Sequence, residues 1–230
     1  MSASDASTFT ALVAGATGLI GAHLLERLAE RPEFGRVIAV TRRPLQSDLP
    51  RLVNRIVRFE ALGESLKGAR ADVAFCALGT TLRAAGSREA FRRVDFDVIV
   101  AFARAAREAG VQRFVLVSAV GADPAANNFY LRVKGETEAA VSELGFGALD
   151  IMQPGLLLGW RREVRPLELV GSLVMPVINL ALQGPAAKYR AIPASVVAAA
   201  MVGAARAPAR GIRRHTHREL RKLAGARSRR

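Results

Sequence analysis

At 230 residues, half of them hydrophobic, the chain can bury one sizeable core and is not of disordered composition. Its formal charge of +14 is uneven: residues 206–230 hold ten Lys/Arg against Glu219 alone, so +9 lies there and +5 in the rest. The single cysteine, Cys76, excludes an internal disulfide and fits a reducing compartment. The first ten residues lack the basic and apolar regions of a secretory signal, and the longest apolar stretch, 169–182, is too short to span a bilayer. A soluble, cytoplasmic protein without a transmembrane segment is expected.

The segment FTALVAGATGLIGAHLLERLAE runs from an apolar strand through a glycine turn into a helix with Ile20, Leu24, Leu25 and Leu28 at helical spacing. Strands follow at 36–44, 54–62 and 71–81. Residues 87–109 read as one helix, with Val94, Val98, Phe102 and Ala105 on its inner face and Gly110 at its end. A fifth strand covers 112–123. Next comes a helix near 129–144, with Val133, Thr137, Val141 and Leu144 inward and Gly145 at its end. A sixth strand starts the stretch 146–159. The pattern then loosens, with a helix expected around 166–182, a short strand in KYRAIP, and a last helix capped by Ser195 and running through Ala205.

Strands alternating with helices predict an α/β fold: a Rossmann-type, doubly wound, mostly parallel sheet with helices on both faces. Residues 1–205 form that domain, and 155–193 make a substrate-side excursion, a small C-terminal lobe. Residues 206–230 read as a basic, flexible tail. Its charge could contact nucleic acid or an anionic surface weakly, but no nucleic-acid-binding motif accompanies it. His215 and His217 lack the cysteine or acidic companions of a metal site, and none is expected.

GATGLIG spaces Gly15, Gly18 and Gly21 three apart between a strand and a helix. Such a turn either cradles a pyrophosphate on free helix N–H groups or is a glycine-rich turn with no ligand; its position after the first strand favours the cradle. The second strand ends in Thr41, Arg42 and Arg43 and has no acid to hold an NAD ribose. Arginine forks suit a 2′-phosphate and favour NADP over NAD, the other reading being solvated surface arginines. Tyr130 and Lys134 lie four apart on one helix face, as a catalytic pair or as ordinary surface residues.

The blocks GATGLIG, CALGTT (76–81), VLVSAVGAD (115–123), FYLRVKGETEA (129–139) and QPGLLLG (153–159) stand in the order found in atypical short-chain dehydrogenases/reductases. Over roughly 9–205 the chain resembles the Tat-interacting-protein group of that family and its bacterial relatives. The resemblance implies an NAD(P)-binding oxidoreductase that moves hydride between a nicotinamide and a small-molecule carbonyl or alcohol. It assigns Gly15, Thr17, Gly18, Leu19, Ile20, Gly21, Arg42, Arg43, Leu78, Gly79, Thr80, Pro154, Gly155 and Leu156 to the cofactor. Lys134 would hold the ribose hydroxyls and favour ionisation of the Tyr130 phenol, which moves the substrate proton. Ser118 is the candidate to polarise the substrate oxygen. Two positions depart from the family pattern: the customary serine can align with Ala119, and Gln153 stands where relatives often carry arginine. The alternative is a catalytically weak, NADP(H)-binding regulatory or scaffold protein.

Overall fold

A computed structural model describes residues 8–158 and 184–225 of the protein. The helix expected around 166–182 lies outside the described residues. Among these residues the strands are β1 (Thr10–Ala14), β2 (Arg36–Thr41), β3 (Leu52–Ile56), β4 (Val73–Cys76), β5 (Arg113–Val117), β6 (Ala148–Met152), β7 (Leu157–Leu158), β8 (Ile192–Pro193) and β9 (Gly211–His215). Seven of them build one sheet in the order β3-β2-β1-β4-β5-β6-β9, each neighbouring pair parallel. The short pair β7 and β8 stands apart. The chain winds outward from β1 in one direction through β3, then returns to β4 and winds the other way. The reversal between β1 and β4 opens a crevice at their carboxyl ends.

The pleat explains why these strands read as nearly continuous apolar runs. Ala11 and Val13 of β1 face one core while Leu12 and Ala14 face the other, and β2, β4 and β5 alternate likewise. Helices α1 (Leu19–Ala29), α7 (Ala194–Arg206) and α8 (His217–Gly225) cover the first face through Leu24, Leu28, Val197, Met201 and Leu220. Helices α2 (Leu62–Leu66) and α5 (Ile99–Glu108) cover the second through Leu62, Leu66, Phe102 and Ala106, joined by Val141 of α6 (Phe129–Ser142). Two short helices, α3 (Leu82–Ala85) and α4 (Arg88–Arg92), precede α5. Asn128 starts α6 by accepting the Leu131 N–H at 3.1 Å.

Three expectations change. Residues 87–109 are not one regular helix: α4 passes into a wide π turn over Arg93–Val98 before α5 begins. Such a turn takes in an extra residue and rotates the inner face, so Asp95 is buried while Val94 and Val98 are only half-buried. Helix α7 starts at Ala194 with Pro193 in the cap position, so Ser195 lies inside the helix and does not cap it. The third change concerns the basic segment. It is no loose tail through residue 225: β9 adds to the sheet beside β6, and α8 packs Leu220 into the first core.

Buried carboxylates draw that segment in. Asp150 of β6 has no exposure, and its Oδ1 lies 2.7 Å from both Arg213 and His215 of β9. Glu138 of α6, also buried, takes Arg214 at 3.0 Å, and Arg206 pairs with Glu33 at 2.9 Å. Arg206, Arg213 and Arg214 of the segment are therefore paired with carboxylates of the body, Arg214 while still half-exposed. A chain ending at Arg206 leaves Asp150 and Glu138 without their cations, and breaking a buried pair costs about 3–5 kcal/mol. That truncation is expected to lower the unfolding midpoint by about 10 °C or more, or to prevent folding. A midpoint equal to the parent's by calorimetry would return the segment to a dispensable tail.

Candidate functional site: the crevice between β1 and β4

Strand β1 leads into a turn that only glycine permits at two points. Gly15 has φ +84°, and a Cβ there would lie 2.4 Å from the Ala77 carbonyl carbon at the end of β4. A Cβ on Gly21 would lie 2.0 Å from the Gly15 oxygen. Gly18 sits in the cap position of α1, makes no side-chain cap and accepts the Ala22 N–H at 2.9 Å. The N–H groups of Leu19, Ile20 and Gly21 therefore have no partner within the helix, and no acidic residue stands in its first turn. The Ile20 side chain is in the core and Leu19 packs against it, so these two residues can offer a ligand only backbone.

A cleft of about 650 Å³ opens in front of this turn. Gly15, Thr17 and Gly18 line one side and Leu78, Gly79 and Thr80 another, as the sequence motifs suggest. Arg42 lines it too, with its guanidinium 5.4 Å from the centroid of the Phe59 ring. Arg43 does not line it: that residue is exposed, and its carbonyl accepts the Thr41 hydroxyl at 2.7 Å. Phe59, Arg93 and Asp97 are lining residues that sequence reading missed. Arg93 and Asp97 belong to the π turn, which a regular helical period cannot anticipate. Uncapped helix N–H groups, a backbone surface bare of Cβ atoms and a cation after β2 fit a dinucleotide phosphate.

Tyr130 and Lys134 do share a face of α6. The Lys134 Nζ lies 6.0 Å from the Tyr130 ring centroid, and the Tyr130 ring packs 5.5 Å from that of Phe91. Lys134 is 5% exposed and pairs at 2.7 Å with Asp95, which has no exposure. A Cβ on Gly79 would lie 3.5 Å from the Lys134 Nζ, so the ammonium sits just under the cleft wall. Burial drives the Cys76 thiol up to about 12 against the lowering effects of the Leu78 backbone and Lys134, so it is a core group and not a nucleophile.

Ser118 follows β5, and its N–H donates to the Met152 carbonyl at 2.7 Å. Its hydroxyl oxygen is buried and has no hydrogen-bond partner, so it is closed off from the crevice. Pro154 is tied to the same loop through the Val120 N–H at 3.0 Å. Gly155 passes close beneath the Tyr189 and Arg190 carbonyls, and Leu156 is exposed. Gln153 donates to the Oε1 of Glu138 at 2.8 Å, and Arg214 of β9 donates to the Oε2 at 3.0 Å. The Pro154–Leu156 group thus lies beyond β6, away from the described lining of the cleft.

Residues 15–147 match the NAD(P)H-binding family. The chain belongs to that family. It is of the atypical short-chain dehydrogenase type, as its relatives among curated proteins show. It is 39% identical over 163 residues to "Protein fmp52, mitochondrial" of Emericella nidulans, covering 68% of this chain and 70% of that one. It is 41% identical over 160 residues to "Protein HTATIP2" of Rattus norvegicus, covering 68% and 66%. The fold is also that of the Bordetella bronchiseptica enzyme WbmH in complex with NAD+, with a TM-score of 0.68 at 15% identity over 91% of this chain and 76% of that one. The fungal relatives are named mitochondrial, which overturns the cytoplasmic location expected from the sequence. No helix among the described residues is long and apolar enough to cross a membrane.

The glycine turn separates two effects. Gly21→Ala drives a methyl into the Gly15 carbonyl and should destabilise the fold by about 1–3 kcal/mol. A Cβ on Gly18 meets the Gly15 oxygen at 3.2 Å and the Ala77 oxygen at 3.9 Å, so Gly18→Ala should melt within a few degrees of the parent. Thermal unfolding of both variants checks this ordering, and equal losses would contradict it.

Proposed function

We propose that the protein is an NADP(H)-dependent oxidoreductase acting on a small carbonyl or alcohol. The observation that supports the reading is the crevice itself: an uncapped helix N-terminus faces it, and the Lys134 ammonium lies just behind its Gly79 wall. The backbone N–H groups of Leu19, Ile20 and Gly21 bind the pyrophosphate, with Thr17 and Gly18 beside them. Leu78, Gly79 and Thr80 form the facing wall. Arg42 takes the 2′-phosphate, its guanidinium held over Phe59. When bound, the dinucleotide supplies or accepts the hydride. Lys134 holds the ribose hydroxyls, Tyr130 gives or takes the proton at the substrate oxygen, and Pro154, Gly155 and Leu156 lie toward the nicotinamide side.

One observation favours a second reading, an NADP(H)-binding regulatory protein of little turnover. Ser118 is the hydroxyl best placed in sequence to polarise a substrate oxygen, and its Oγ is buried without a partner. Turnover then depends on whether Tyr130 suffices as the oxygen's partner.

Arg42→Ala separates NADP from NAD. A hydrogen bond to a charged group contributes about 1.5–3 kcal/mol, and exposure pushes this toward the lower end, near a tenfold effect. The variant should lose about tenfold in NADPH affinity and little in NADH affinity, as calorimetry would measure. Equal affinity of the parent for both cofactors removes the NADP assignment. Tyr130→Phe should leave NADPH affinity nearly unchanged and abolish reduction in a screen of aldehydes and ketones. A parent that binds NADPH but reduces none of them supports the regulatory reading, and a Phe variant that turns over at the parent rate removes Tyr130 as proton donor.

A further inference from the structure

Asp95 meets three groups at once, one as an ion pair and two as hydrogen-bond donors. Its Oδ1 lies 2.7 Å from the Lys134 Nζ on α6, and its Oδ2 accepts the Thr80 N–H at 2.8 Å from the loop after β4. Its backbone carbonyl accepts the Thr137 hydroxyl at 2.7 Å. The π turn brings it there: with regular helical winding, Val94 would hold the inward position. A Cβ on Gly79 would lie 3.3 Å from the Asp95 Oδ1, so the ion pair runs directly beneath the cleft wall.

A lysine removed from water gives up its proton more readily, because burial penalises the charged form. That effect acts on Lys134, yet the Asp95 charge and hydrogen bond, with smaller contributions from Tyr130 and Cys76, outweigh it and hold the group above an ordinary lysine. The groups facing the ammonium are Asp95 from the π turn, Tyr130 one turn earlier on α6, and Cys76 from β4. Cys76, pushed up to about 12, is neutral over the working range. Among these groups the Asp95 charge opposes burial most strongly.

We propose that Asp95 is a positioning residue that keeps Lys134 protonated and aimed at the cleft, and through Thr80 fixes the cofactor-side loop to the same point. The remaining ammonium hydrogens are then free for ribose hydroxyls. This inference rests on the dinucleotide reading of the cleft.

Asp95→Asn keeps an oxygen for the Thr80 N–H and removes the charge. Burial is then opposed only by the smaller Tyr130 and Cys76 contributions, Lys134 titrates lower, and the ammonium is lost as pH rises through that lower value. NADPH affinity, followed by fluorescence from about pH 7 to about pH 9.5, should stay flat in the parent. In the variant it should match the parent at the lower end and be about tenfold weaker at the upper end. Parallel curves overturn the proposal, since a merely structural role would lower affinity equally at every pH. Lys134 is one of four lysines in the chain, so its titration can be followed by NMR on labelled protein without cofactor. The parent signal should titrate above the ordinary lysine value of about 10.4, and the variant signal below it. A parent Lys134 at or below that value overturns the proposal even where the variant does not fold. A parent that binds no NADPH sinks the cofactor reading and leaves the NMR measurement to decide the role of Asp95.

Discussion

Everything at the crevice depends on how closely three backbone segments approach one another. The turn after β1 touches the end of β4 at Gly15 and Ala77, and the first turn of α1 touches the same turn at Gly21. No side chain could fit at either contact. Their closeness points the start of α1 at the gap between β1 and β4 and leaves its N–H groups bare. The 650 Å³ cleft lies in front of these contacts, with Gly15 and Gly18 in its lining. The anion-binding character of the site thus comes from main chain and can be kept while the surrounding side chains vary.

The other half of the site is built from buried charge. Asp95, Lys134 and Glu138 are all buried, and Glu138 follows Lys134 by one turn on α6. A buried charge is tolerated only with a partner. Asp95 supplies one for Lys134, while Gln153 and Arg214 supply partners for Glu138. Arg214 comes from β9, so the last strand is tied through Glu138 to the helix that carries Tyr130 and Lys134. This connects the basic C-terminal segment to the site without its touching a ligand.

The parallel sheet was legible in the sequence because both of its faces are covered. Strands such as LVA and FVLV are apolar at every position, and glycine turns punctuate them. The Gly15–Gly21 turn was legible for the same local reasons, and so were Tyr130 and Lys134 as neighbours on one face. Asp95 was not, since periodicity assumes 3.6 residues per turn and the π turn breaks that assumption at the residue that matters. The segment GIRRHTHRELRKLAG was misread because its charge suggested solvation. The signal lay elsewhere in the chain, in Asp150 within the apolar strand β6 and in Glu138 on the inner face of α6, both in want of cations. A buried acid inside a run such as ALDIM asks for a distant basic partner, and the excess of arginine at the C-terminal end answers it. Arg42 and Arg43 stand side by side in sequence, and only the fold, through Phe59, shows which of them faces the cleft.

The two halves of the crevice should respond differently to their surroundings. Main-chain N–H groups do not titrate, so the phosphate-binding turn keeps its donors across the whole pH range. On the role proposed for Asp95, the charge of Lys134 depends chiefly on a carboxylate that is itself buried and that accepts the Thr80 N–H. The Leu78–Thr80 loop forms a wall of the cleft, so the Asp95 carboxylate joins that wall to Lys134, with one oxygen toward each.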